Sequence, residues 1–135
     1  MRRTIRILAA IGLLGLLLAG CGKGQAGEER MDLEFTVVDE ARLPEELFSM
    51  IEKKKAEPFK LTYGDGGYLY LCMGYGEQPT GGYSITVNEL YATRNAIYLD
   101  TGLIGPKEAP EKGENPSYPY IVIKTPFVDK TVVFD

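Results

Sequence analysis

Residues 68–91 read Tyr68-Leu69-Tyr70-Leu71-Cys72-Met73-Gly74-Tyr75-Gly76-Glu77-Gln78-Pro79-Thr80-Gly81-Gly82-Tyr83-Ser84-Ile85-Thr86-Val87-Asn88-Glu89-Leu90-Tyr91. Two extended runs flank a loop. Tyr68 to Met73 is an apolar run that reads as a strand. Tyr83 to Tyr91 has period two: Tyr83, Ile85 and Val87 point one way, Ser84, Thr86 and Asn88 the other. Ile85 and Val87 are therefore expected in the core. Facing them should be Ile121 and Ile123, or a helix face bearing Leu47 and Ile51. Pro79 restrains one backbone angle of the loop, and Gly81 and Gly82 permit positive φ.

Working outward, the same grammar continues on both sides. Phe59 to Tyr63 reads as a strand joined to Tyr68–Met73 through the turn Gly64-Asp65-Gly66-Gly67. Asn95 to Thr101 reads as a strand, residues 105–117 as a Pro/Gly/charge-rich loop, Tyr118 to Lys124 as a late strand and Thr131 to Phe134 as the last. Leu33 to Val38 alternates well enough for a first strand. One helix is expected after Leu43-Pro44-Glu45-Glu46, where acidic residues suit the positive end of the dipole. Leu47, Met50 and Ile51 share its apolar face and Phe48 widens it. Lys53-Lys54-Lys55 suits its C-terminal end as a solvated face, and Pro58 stops it. The predicted fold is α+β and mainly β: one N-terminal helix with an antiparallel β sandwich or partly open barrel.

The first twenty residues read differently. Arg2, Arg3 and Arg6 precede an apolar run from Ile7 to Leu18, and Leu18-Ala19-Gly20-Cys21 follows. A basic start, a short apolar stretch and small residues before a cut describe an export signal. With Cys directly after Leu-Ala-Gly it resembles a bacterial lipoprotein signal. That resemblance implies cleavage before Cys21, lipid (palmitate among its acyl chains) on Cys21, and a mature protein anchored to the cell membrane in the envelope. The expected organisation is a signal at 1–20, lipidated Cys21 with a flexible tether to residue 32, and a single domain at 33–135.

Composition removes many functions. The 135 residues contain no His, so the commonest general base and most zinc sites are missing. No phosphate-binding loop, dinucleotide fingerprint or calcium loop occurs. The net charge of −4 offers no basic patch for nucleic acid. Asp65 and Glu77 read as turn residues, and Cys72, the second of two cysteines, reads as a buried thiol within an apolar strand. No catalytic residue, metal or cofactor is expected, and the chain reads as a non-enzyme. The loop at 74–83 is either a glycine-rich strand connection, with Tyr83 heading into the core, or a preshaped recognition loop.

Gly76-Glu77-Gln78-Pro79-Thr80-Gly81-Gly82-Tyr83-Ser84-Ile85-Thr86-Val87 resembles the signature of the PrcB C-terminal domain family. Tyr118-Pro119-Tyr120-Ile121-Val122-Ile123-Lys124 resembles a second segment of that family, and the likeness runs from about Phe59 to Phe134. Family members are exported, often as lipoproteins, and the founding member is an accessory subunit that stabilises a surface protease complex. The resemblance implies a protein-binding role without catalysis. Its edge would be Pro79, Thr80, Gly81, Gly82 and Tyr83, helped by Tyr118, Pro119 and Tyr120, and its partner an envelope or surface protein such as a protease. Pro79-Thr80-Gly81-Gly82-Tyr83 and Ser117-Tyr118-Pro119-Tyr120 are also similar to two loops of chagasin-type cysteine-protease inhibitors. Gly81 stands where those carry Thr, no Trp occurs, their middle Gly-Gly-Thr loop is missing and the helix is extra. Inhibition is therefore the alternative, and it requires the 76–83 and 113–119 loops side by side at one end of the domain.

Overall fold

β4 (Tyr68–Tyr75) is buried on both faces and organises everything around it. The computed structural model describes residues 29–108 and 115–135. The export signal, Cys21 and most of the tether lie outside the described residues. In chain order come β1 (Met31–Asp32), β2 (Thr36–Val37), a 3-10 turn (Glu40–Arg42), α1 (Glu45–Lys54) and β3 (Pro58–Asp65). After β4 follow β5 (Ser84–Ala92), β6 (Ala96–Ile104), β7 (Tyr120–Pro126) and β8 (Thr131–Phe134). They form two four-stranded sheets, ordered β1-β5-β6-β8 and β2-β7-β4-β3. All pairings are antiparallel except β6 with β8, which is parallel. The fold is α+β and mainly β, and of the two expected architectures it is the sandwich.

Strand parity explains the layering. Leu69 and Leu71 of β4 and Ile123 of β7 pack with Leu90, Ala92, Ile97 and Leu99 from the other sheet. Tyr70 and Cys72 of β4 and Val122 of β7 point the opposite way and pack with Leu47, Ile51 and Phe59. The second sheet is thus covered by strands on one side and by α1 on the other. A strand covered on both faces must be apolar at every position, which is why Tyr-Leu-Tyr-Leu-Cys-Met shows no alternation. Leu47, Leu71, Ile97 and Ile123 are fully buried, each worth about 1.5–3 kcal/mol of transfer free energy. α1 begins at Glu45 with Pro44 as its N-cap residue and closes with Lys55 N–H donating to the Ile51 carbonyl. The hairpin between β3 and β4 turns on Gly66 and Gly67 alone, both at positive φ (60° and 84°), as a two-residue connection of twisted strands requires.

Two expectations fail in instructive ways. Leu33–Val38 is not one strand. β1 starts at Met31, inside the expected tether, and pairs in the first sheet with Tyr91 and Ala92; β2 pairs in the second sheet with Ile123 and Lys124. Between them the chain crosses the sandwich, held where Thr125 Oγ1 donates to the Glu34 carbonyl at 2.8 Å. Nor does period two run unbroken through β5. Val87 pairs with Thr101 and Glu89 with Asp100, so Asn88 is an extra residue that shifts the register. Past it the core face passes to Leu90 and Ala92. Val87 packs against the cluster containing Ile123, with Ile121 also on that cluster, as one of the two expected faces would have it. Ile85 is only half-buried and lies outside that cluster. Leu47 and Ile51 lie across the second sheet from it.

Hydrogen bonds define the two ends of the sandwich. At one end Phe127 N–H donates to Gly67 O, and Lys130 Nζ reaches Thr93 O at 2.7 Å, which ties the β3–β4 hairpin, the β7–β8 connection and the β5–β6 turn together. β1 enters at this end, because Met31 pairs with Ala92. The opposite end carries the C-terminus of β4, the start of β5 and the start of β7.

Candidate functional site

Loop 76–83 and residues 115–119 meet at that opposite end. Gln78 and Ser117 form an antiparallel bridge: Gln78 N–H donates to Ser117 O at 2.8 Å and Ser117 N–H to Gln78 O at 3.0 Å. Ser117 Oγ donates a further bond to Thr80 O at 2.7 Å. Below the bridge, Tyr75 N–H donates to Pro119 O, and Gln78 Nε2 to Tyr75 O. Glu77 N–H donates to Ala56 O just past α1, so the helix end braces the loop as well. A Gly/Pro-rich connection with no regular structure of its own is in this way pinned by six hydrogen bonds.

Within that frame the expected residues play different parts. Pro79, Gly81 and Gly82 are exposed, and Thr80 and Tyr83 half-exposed. Of Gly81 and Gly82, the second needs its lack of a side chain: it sits at φ 90°, where a Cβ would lie 3.1 Å from Pro106 Cβ. Gly81 has no positive φ, and a Cβ there would meet open space. Of these two glycines, both of which permit positive φ, only Gly82 adopts it. Tyr83 does not enter the core; its ring lies beside Gly105.

Tyr118 and Pro119 flank the loop, half-exposed, with Lys55 Nζ 5.7 Å from the Tyr118 ring centre. Tyr120 turns away. It shares strand parity with Val122, and its ring packs on the α1 side, 6.5 Å from the ring of Phe59. Burial, with Glu40, Glu52 and Cys72 nearby, pushes its phenol up to about 12. Its hydroxyl is buried without a hydrogen-bond partner in the structure. Tyr120 thus lies beneath the two loops and not on their exposed rim. A groove of about 340 Å³ runs beside it between Val38, Glu40, Tyr118 and Pro119.

One contributor was not singled out from sequence. Tyr75 ends β4, and its hydroxyl lies 2.6 Å from Thr101 Oγ1 on β6, so it closes the sandwich directly under the loop. Its parity with Leu69 and Leu71 was the available signal. Cys72 is fully buried, and burial pushes its thiol up to about 12, which keeps it protonated and unreactive at neutral pH. Among the described residues, no three His, Cys, Asp or Glu side chains are grouped to hold a metal ion.

This bridged loop and the strands on either side fall inside one recognisable segment. Residues 69–126 match the PrcB C-terminal family. The match opens one residue into β4 and closes on the last residue of β7, so it takes in the loop, the bridge and the centre of both sheets. α1, β3 and β8 of this chain lie outside the PrcB C-terminal segment. No curated protein and no solved structure matches the chain.

Proposed function

We propose that this chain is an envelope-tethered, non-catalytic protein-binding subunit of the PrcB type, possessing one recognition edge. The edge is built from Pro79, Thr80, Gly81, Gly82 and Tyr83, flanked by Tyr118 and Pro119 and backed by Tyr120. The Gln78–Ser117 bridge is the observation that carries this reading. It makes two loops far apart in sequence into one rigid surface, so little ordering entropy is lost when a partner docks. Tyrosines at the rim add apolar area with a polar tip, a combination enriched at binding hot spots. Catalysis finds no support in the described site, and the PrcB C-terminal match favours an accessory role beside a partner such as a surface protease.

β1 enters the domain at the end remote from Ser84. With Cys21 lipidated, the edge would face away from the membrane, toward whatever shares the envelope. Site-specific photo-crosslinking in cells tests the reading. A photoreactive residue at position 81 should give a discrete covalent adduct, identifiable by mass spectrometry, while one at position 94 should not. Equal or absent adducts at both positions would overturn the proposed edge.

Inhibition of a cysteine protease is kept as a second reading for one reason: the two loops it requires are side by side. Dose-dependent inhibition of a papain-like protease by the purified protein would favour it over the accessory role.

A further inference from the structure

The end of the sandwich where β1 enters exposes large apolar side chains that none of the described elements covers. Met31 is 64% exposed, Phe127 51% and Tyr68 42%. Tyr68 and Phe127 are held close together. Tyr68 pairs with Pro126 in the ladder, Phe127 N–H is fixed to Gly67 O at 2.9 Å, and the Phe127 ring lies along Gly64 of the same hairpin. Lys124 Nζ sits 4.3 Å from the Tyr68 ring centre. Arg94, Lys124 and Lys130 at this end balance Asp32, Asp65 and Asp129, although the chain as a whole is acidic.

We propose that this end is a membrane-docking surface, with Tyr68 and Phe127 seated at the headgroup level of a lipid bilayer. The inference rests on the lipid anchor at Cys21 proposed above. Nine residues separate Cys21 from Met31, a reach of at most about 36 Å even when fully extended. The end bearing the exposed rings is therefore the end an anchored chain holds within that distance of the lipid. Tyr suits the interface because its ring is apolar and its tip wet, and the Lys124 ammonium over the Tyr68 ring brings a cation to the headgroup level beside it. Balanced charge means that contact needs no anionic lipid and resists salt. The acyl chains on Cys21 would supply the hold on the bilayer, and aromatic contact would restrict how the domain tumbles there. The recognition edge, at the other end, would then be presented outward.

The chain contains no Trp, which makes the test clean. Phe127→Trp and Ile104→Trp place one indole at each end, both at half-exposed sites. The full acylated chain is reconstituted in phosphatidylcholine vesicles carrying brominated acyl chains, and only floated protein is measured. Bromolipid should quench the indole at position 127 at least twofold more than that at 104, and the difference should persist in high salt. Tyr68→Trp serves as a second reporter should Phe127→Trp fold poorly. Equal quenching at both ends of floated protein overturns the docking surface and leaves the anchor standing. Wild-type protein that is unacylated and does not float overturns the anchor, and the proposal with it. Quenching abolished by an added envelope protein would assign the patch to a protein partner instead.

Discussion

Ser117 and Gln78 exchange two backbone hydrogen bonds, and Ser117 Oγ reaches on to Thr80 O at 2.7 Å. One residue thus anchors the tip of a loop that starts about forty positions earlier. Ser117→Ala removes only the side-chain bond and should cost about 0.5–1.5 kcal/mol in denaturant melts. Amide exchange should quicken in residues 79–82 and stay unchanged in β4. Uniform quickening across both sheets would mean that Ser117 supports the whole fold and not the loop.

Glycine 74 is where two elements approach most closely. It pairs with Phe59 across the β3–β4 ladder, and the Phe59 ring lies directly over it. A Cβ at this position would fall inside the ring, so Gly74→Ala should destabilise the domain by about 1–3 kcal/mol or more. Phe59→Leu in the same chain should recover part of that loss. If Gly74→Ala melts like wild type, the covering of this sheet by Phe59 is wrong.

The extra residue in β5 makes a prediction that simple alternation does not. Leu90 is 5% exposed and faces the core, whereas Ile85 is half-buried. Leu90→Ala should cost about 2–5 kcal/mol, and Ile85→Ala clearly less. Equal costs measured in urea would say that the register shift at Asn88 is absent.

Alkaline pH should weaken the fold. Burial raises the Cys72 thiol to about 12 from an ordinary 9.0, and the Tyr120 phenol to about 12 from 10.0. Both stay protonated in the folded state at pH values where the unfolded chain already ionises. Their contribution is therefore intact below about pH 9 and lost as pH rises toward 12. Cys72→Ala should flatten that decline in pH-dependent melts, and a thiol reagent at pH 8 should label Cys72 only as fast as the domain unfolds. Rapid labelling at Cys72 in the folded protein would place that thiol at the surface.

Local patterning made much of this architecture readable. Helix α1 shows itself through Leu47 and Ile51, and the hairpin through paired glycines, because both signals are short-range. β4 shows itself through unbroken apolarity. The failures share one cause: they depend on what lies across the molecule. Leu33–Val38 alternates like a strand, but nothing local says that Glu34 will be captured by Thr125 and the chain sent to the other sheet. Asn88 carries no mark of an inserted residue. Gly81 and Gly82 look alike in sequence, and only the position of Pro106 and the path into β5 distinguish them. The candidate site was legible as a composition, while its closure by Ser117 and Tyr75 was not.

Gly81 offers the most direct test of the recognition edge, because Val fits there without strain: the position is exposed, has no positive φ and has no neighbour within 4 Å of a Cβ. Gly81→Val should leave the melting temperature of the protein within about 1 °C of wild type, as is usual for a surface change. Affinity for the partner crosslinked through position 81 should fall about tenfold or more, equivalent to about 1.4 kcal/mol. Unchanged affinity together with an unchanged melting temperature would contradict the account, because the centre of the proposed edge would then touch nothing.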